Sequence, residues 1–263
     1  MPSKYKLSPS SSDRFLTCTA SLPHNLGFSE SKATLKGSLQ HEVAGLRLEE
    51  LFLFQDHTKK IEELTNPDNY YSSRNDENLK VKWDKSCDDT VDTYISYVKQ
   101  MYNQYKPKHI FIEQRIKMRF YDNNINGIVD CAMVTEDGDV IIIDLKTGRS
   151  KVDAEDNNQM LLYAYGFIQD LHKKTGQTPN EVVISICQSV IYNTKAISYS
   201  LNDLIAWYKS LAQPMKEINT DDLVFRPNAK ACKFCQFKSN CNARIKAGIV
   251  WHSHQRNLSL CLS

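Results

Sequence analysis

The chain has 263 residues, enough for one generous domain with a sizeable core, and a formal net charge of only +2. So small an excess excludes a uniformly basic nucleic-acid binder, and any cationic surface must be local. No apolar run approaches the length of a membrane span, and MPSKYKLSPSSSDRF does not read as a secretion signal; both point to the cytoplasm, where the eight cysteines serve as thiols or metal ligands rather than disulfides.

In chain order, LSPSSSDRFLTC offers Ser and Asp to cap a short helix that carries Leu16 and Cys18. Residues 37–54 place Leu39, Val43, Leu46 and Leu51 near one stripe of a second helix. Residues 60–86 are polar and read as a loop or insertion. A helix over 88–105 precedes strands at 109–118, 127–135 and 139–145. An amphipathic helix over 154–173, strands at 182–191 and 195–200, and a helix over 201–219 complete the core; the tail holds a cysteine cluster, and the last dozen residues look frayed. The order helix, three strands, helix, strand describes an α/β unit with a hairpin inside it, not a doubly wound sheet.

The stretch IIIDLKTG, residues 141–148, carries a carboxylate and an amine to the end of an apolar strand. The preceding loop, Glu136-Asp137-Gly138, suits a three-residue hairpin with glycine at its left-handed position. In that register facing residue numbers sum to about 274, Asp130 lies opposite Asp144, and Lys146 follows on the same side. A two-residue Asp-Gly loop would put the aspartates on opposite faces, and the apolar pattern does not choose between them. Two adjacent carboxylates destabilise a sheet unless a cation offsets them. Mg²⁺ or Mn²⁺ takes carboxylate oxygens, with water and substrate phosphate filling the remaining positions. Lys146 could then stabilise charge on a phosphate oxygen, or orient and deprotonate the attacking water.

GIVD (127–130) followed by DLKTG (144–148) resembles the GxxD…DYKTG signature of RecB-like nucleases of the PD-(D/E)XK superfamily. GSLQH (37–41) is similar to their G-x₃-H motif and QMLLY (159–163) to their Q-x₃-Y helix. The resemblance implies a restriction-endonuclease-like α/β core with a helical N-terminal part. It also implies metal ligands His41, Asp130, Asp144 and the Leu145 carbonyl, with Lys146 as catalytic base beside Gln159 and Tyr163. Glu113, mid-strand, either approaches this site or faces solvent paired with Arg115 or Lys117.

Cys232-x₂-Cys235-x₅-Cys241 supplies three thiolates on a compact loop, one short of a metal centre. His252, His254 and Cys261 are the near candidates for a fourth ligand, and Cys18 the distant one; a Cys₃His site would hold structural Zn²⁺. The iron–sulfur subgroup of the same nucleases, similar to CRISPR-associated members, has one upstream cysteine and three downstream. That layout implies a [4Fe–4S] cluster on Cys18, Cys232, Cys235 and Cys241, fastening residues 8–36 to 221–247 around a nuclease core at 37–220 with an insertion at about 55–87. Cys131 and Cys187 read as buried strand thiols, and Cys87 as a free thiol in a polar stretch.

The resemblance implies a metal-dependent exonuclease acting on DNA, single-stranded or with ends, in recombination, replication or end processing, as in small phage or prophage members. Arg14, Lys146, Arg149 and Lys151 are candidates to track phosphates. The chain has no G-x₄-G-K-[ST] motif, so a helicase or recombinase would be a separate partner. An endonuclease of the same fold and a non-catalytic DNA-binding scaffold are the alternatives, separated from the exonuclease by circular substrate and by metal-dependent turnover.

Overall fold

The computed structural model describes residues 3–25 and 30–249. It opens with α1 (Ser12–Thr17), set between a single 3-10 turn at Pro9–Ser11 and a six-residue 3-10 segment at Thr19–His24. The long helix α2 (Lys32–Leu53) begins at a capping box in which Ser31 and Thr34 satisfy each other's backbone N–H groups. Next come α3 (Thr58–Thr65), the two-residue strands β1 (Tyr71–Ser72) and β2 (Lys80–Val81), and α4 (Lys85–Tyr105), capped by the Asp84 carboxylate. Strands β3 (His109–Phe120), β4 (Asn123–Val134) and β5 (Val140–Leu145) follow. Helix α5 (Asn158–Thr175) then starts on an Asn157 cap and ends at Gly176, whose φ of 73° glycine takes freely and a residue with a Cβ would take only under strain. Strands β6 (Glu181–Gln188) and β7 (Asn193–Ser200), helices α6 (Leu201–Ser210) and α7 (Ala212–Thr220), and the short α8 (Ala229–Lys233) and α9 (Asn242–Lys246) complete the described chain.

The main sheet runs β3-β4-β5-β6-β7, antiparallel except for β5 and β6. That parallel pair needs a crossover, and α5 supplies it. One sheet face packs on α5 and the N-terminal elements through Ile116, Met118, Phe120, Val129, Ile142 and Phe167. The other packs on α2 and α4 through Leu39, Val43, Val91, Tyr94, Met133 and Ile143. Among the described residues, no helix is long and apolar enough to cross a membrane.

The β4–β5 hairpin has the three-residue register: Cys131 faces Ile143 and Val134 faces Val140. Gly138 takes φ 88° at the left-handed position, and Thr135 N–H donates to the Asp139 carbonyl at 2.9 Å. The paired register ends at Cys131 and Ile143, one step short of Asp130 and Asp144.

Three expectations need correction. Residues 60–86 are not simply a loop: Ile61 and Leu64 of α3 and Tyr71 and Val81 of the β1–β2 ladder pack partly buried against the α2/α4 core. The helix expected over 201–219 breaks at Leu211, because Pro214 has no N–H to give and clashes with the carbonyl one turn earlier, so α7 starts anew. Cys87 is a free thiol, as expected, but it is fully buried rather than in polar surroundings, since α4 starts at Lys85 and turns it into the core.

The two ends of the described chain are stitched together. Ala20 N–H donates to the Val224 carbonyl at 3.2 Å, Val224 N–H to Thr19 Oγ1 at 2.8 Å, and Arg226 N–H to Cys18 Sγ at 3.4 Å. Buried Glu217 sits beneath this seam. Its carboxylate accepts from both Arg226 guanidinium arms, from Thr19 Oγ1 at 2.8 Å and from Gln213 Nε2 at 3.2 Å. The Arg226 bonds, against the opposing effect of burial and helped by Thr19 and Gln213, hold the Glu217 pKa down to about 2, from an ordinary 4.5. A depressed carboxyl contributes stability that is complete above about pH 4.5 and is lost as pH falls through about 2. The melting-temperature gap between wild type and Glu217→Gln is therefore expected to be flat above that window and to close within it. A gap that ignores pH from 4.5 to 2 would remove Glu217 from acid stability.

Candidate functional site

One face of α2 carries Gly37, His41 and Gly45 at four-residue spacing, so the three stack along one side of the helix. His41 Nδ1 lies 3.3 Å from Asp130 Oδ1. The glycines above and below it let neighbours come close. A Cβ at Gly37 would stand 2.7 Å from Thr147 Oγ1, and one at Gly45 would stand 2.8 Å from Glu113 Cγ. The helix is thus bare on either side of its histidine, where the loop after β5 and the Glu113 side chain lie against it.

Glu113 arrives there through a break in the strand. β3 and β4 pair in a single register on both sides of it, but Glu113 and Asp130 stand outside the ladder. Before the break Ile112 and Cys131 face α2 and α4; beyond it Ile116, Met118, Ile125 and Val129 face α5. The alternation changes phase at this one pair, and Glu113 absorbs the change with φ 48°, a conformation that costs a non-glycine residue about 1–3 kcal/mol. The result brings ligand atoms of His41, Glu113 and Asp130 within 4.8 Å of one another.

From the end of β5, Leu145 N–H donates to Asp130 Oδ2 at 2.7 Å. Lys146 Nζ donates to Gln159 Oε1 at 2.9 Å, and Gln159 Nε2 to Tyr163 Oη at 3.1 Å, across one turn of α5. Lys146 Nζ is also 2.9 Å from Asp144 Oδ2, an ion pair to a buried oxygen that has no other polar partner among the described residues. Gly127 makes room for this arrangement: a Cβ there would lie 2.8 Å from Tyr163 Cε1 and 3.0 Å from Pro9 Cγ. Gly127→Ala is expected to cost about 1–3 kcal/mol by overpacking. Gly148→Ala, whose Cβ would meet nothing within 4 Å, should be near neutral. Equal melting temperatures for the two variants would refute this account of Gly127.

The electrostatics are those of a site short of positive charge. Burial and Asp130 push the Glu113 carboxyl up to about 8, against the pull of His41. Burial would lower His41, but Asp130, with Asp144 and Glu113 behind it, outweighs that and raises its pKa to about 9. Despite burial, Asp130 is held below its ordinary value by His41, the Leu145 N–H and Lys146. Asp144 is raised, by burial first and by Asp130, with Lys146 opposing. An imidazole and crowded, buried carboxylates form a donor set suited to a hard divalent cation.

The structure therefore brings His41, Asp130, Asp144, Leu145, Lys146, Gln159 and Tyr163 to one place. Leu145 takes part through its N–H. Glu113, which the sequence left between site and solvent, joins the converging donors, whereas Asp144 stands beside that group against Lys146. The signal for Glu113 was a carboxylate inside an otherwise alternating strand.

A second cluster lies at the stitched ends. Cys18 at the end of α1, Cys232 in α8, Cys235 beyond it and Cys241 before α9 all line one small pocket, with Ala20, Ala231 and Phe237 around them. Burial raises the Cys18 and Cys232 thiols. Besides the Arg226 N–H on Cys18, Asn25 Nδ2 lies 3.6 Å from Cys235 Sγ. His252, His254 and Cys261 lie outside the described residues. Cys131 and Cys187 are buried strand thiols, both raised by burial.

Residues 5–259 match the model of a family described as "Protein of unknown function (DUF2800)". No curated protein sequence matches the chain. The mixed α/β fold is similar to that of a Eubacterium rectale protein described as a "Putative exonuclease", with a TM-score of 0.50 and 10% identity over 90% of this chain and 88% of the other. The structure of SSO0001 overlaps at a TM-score of 0.35 and 14% identity, over 87% of this chain and 95% of that one.

Proposed function

The chain belongs to the DUF2800 family, and we propose that it works as a metal-dependent deoxyribonuclease, an exonuclease of the RecB-like kind. The observation that carries this reading is the convergence of His41, Glu113 and Asp130 donors beside the Asp144–Lys146 pair. The fold shared with the Eubacterium rectale protein supports it at the level of architecture.

His41, Asp130, Asp144 and Glu113 would hold Mg²⁺ or Mn²⁺, which when bound supplies charge neutralisation for a phosphodiester and lowers the proton affinity of water. His41 must give up its proton to act as a ligand, and Glu113 must be ionised. To act as base Lys146 must first shed a proton; its two remaining N–H groups then serve Gln159 and Asp144, and its lone pair is left for the reacting water. Lys146 orients that water and takes its proton as the oxygen adds to phosphorus and an ester P–O bond breaks; the leaving oxygen is protonated from solvent. Tyr163 fixes Gln159, and Gln159 fixes Lys146. Cys18, Cys232, Cys235 and Cys241 would hold a [4Fe–4S] cluster as a structural staple joining residues 8–36 and 221–247 to the nuclease core at 37–220.

The test is cleavage of end-labelled linear and closed circular DNA, single- and double-stranded, with Mn²⁺ or Mg²⁺. Loss of linear DNA alone supports the exonuclease, and cut circles would make it an endonuclease. Intact DNA throughout, with a fully metallated preparation, would refute the enzyme.

A further inference from the structure

Beyond Glu113, strand β3 alternates Arg115, Lys117 and Arg119 with Ile116, Met118 and Phe120. The apolar set is buried on the α5 side. The cationic set points to the other face and is exposed, together with its cross-strand partners Ile128, Asn126 and Asn124 in β4. Nearer the site that same face is covered by α2 and α4, which pack on Ile112, Cys131 and Met133. The phase change at Glu113 and Asp130 is thus the border between a covered half of the sheet and an open, basic one.

The open half has few counter-charges. Arg119 pairs with Asp122 at 2.8 Å, both well exposed, a contact of small energetic weight. Arg115 and Lys117 make no ion pair among the described residues. A groove lined by Lys117, Arg119, Asn124 and Asn126 also takes in Met118 and Lys173 of the last turn of α5, so it reaches round the β3 edge towards the α5 side. In a chain of net charge +2, this is a local concentration of cations.

We propose that this face is a nucleic-acid track on which a single DNA strand lies along β3, its phosphates over Arg115, Lys117 and Arg119, and runs to the carboxylates at Glu113 and Asp130. The proposal rests on the phosphodiesterase reading above and names how its substrate arrives. Three features fix the occupant. The cations form one file, spaced by two strand residues or about 6.7 Å, near the repeat of successive phosphates on one extended strand. Among the described residues, the open half of the hairpin presents no second file of cations to meet the other strand of a duplex. The Asn124 and Asn126 amides and exposed Ile128 lie beside the file, where bases of a single strand would fall.

The test is fluorescence anisotropy with a labelled single-stranded oligodeoxynucleotide and no added divalent ion, so that nothing is cut. Replacing Arg115, Lys117 and Arg119 together by alanine should weaken binding at least tenfold. It should also flatten the slope of log affinity against log salt by about two, at roughly 0.7 per phosphate contact on a single strand. Alanine at exposed Lys209 and Lys216 should change neither. If the triple variant does not fold, Lys117→Glu alone should give at least a tenfold loss. Unchanged affinity and slope would overturn the track, and equal loss on duplex with duplex bound more tightly would overturn the single-strand assignment. A wild type that binds through these residues but cuts nothing with Mn²⁺ would keep the track and fail the nuclease reading. Normal cutting by a variant with unchanged binding would do the reverse.

Discussion

Lys146→Ala will lower DNA cleavage by about 10²- to 10⁴-fold, the ordinary worth of a positioned proton-transfer group. The side chain has no redundancy. Among the described residues its ammonium is the cation paired with Asp144 Oδ2, and its contact with Gln159 is to a neutral group. Lys146→Arg should not rescue, because a guanidinium cannot shed its proton and its planar fork does not fit a site for a compact point charge. Binding to the open face of the β3–β4 hairpin should survive, since that surface lies beyond the Glu113–Asp130 break. The decisive comparison is single-turnover cleavage with Mn²⁺, alongside near-ultraviolet circular dichroism to show that the packing is intact. A variant that turns over within a few-fold of wild type would remove Lys146 from the chemistry and leave only a charge partner for Asp144.

Replacing Cys235 with serine will bleach the protein. Anaerobically purified wild type should be brown and carry about four irons per chain, and the variant should lose iron and absorbance together. It should also lose stability, by about 2–5 kcal/mol if the cluster acts as a long cross-link between Cys18 and the tail. The seam of hydrogen bonds from Thr19 to Arg226 should keep the variant folded at low temperature. Stoichiometric zinc without iron in the wild type would overturn the cluster. An iron-loaded wild type with an equally stable Cys235→Ser would overturn its role as a staple.

The site was legible where chemistry repeats over short spacings. Glu136-Asp137-Gly138 suited the three-residue hairpin that the structure has, but the apolar pattern could not exclude the two-residue alternative, and the paired register stops at Cys131 and Ile143, one step short of Asp130 and Asp144. The Gln159–Tyr163 pair was legible directly, one helical turn apart. Glu113 was not. Its placement depends on a left-handed residue inside a strand whose alternation looks regular at each end, and only the packing of two different helices on the two halves shows the change of phase. Gly37 was noticed as part of a motif, but its reason, the approach of Thr147, is a contact between segments about a hundred residues apart. Pro214 was a local signal that outweighs the amphipathic pattern running through it.

The stitched ends have a consequence for the order in which the molecule is made. A ribosome delivers Cys18 and Thr19 early, but their partners, Glu217, Val224 and Arg226, about two hundred residues later. Pro9, which presses on Gly127 beside Tyr163, belongs to the same early segment. The nascent chain can therefore build its sheet while the segment that braces the Gln159–Tyr163 helix still waits for its anchor. A chain stalled or clipped before Val224 would hold His41, Glu113, Asp130, Asp144 and Lys146 and still lack the clasp that steadies them, so the proposed chemistry requires translation past Arg226.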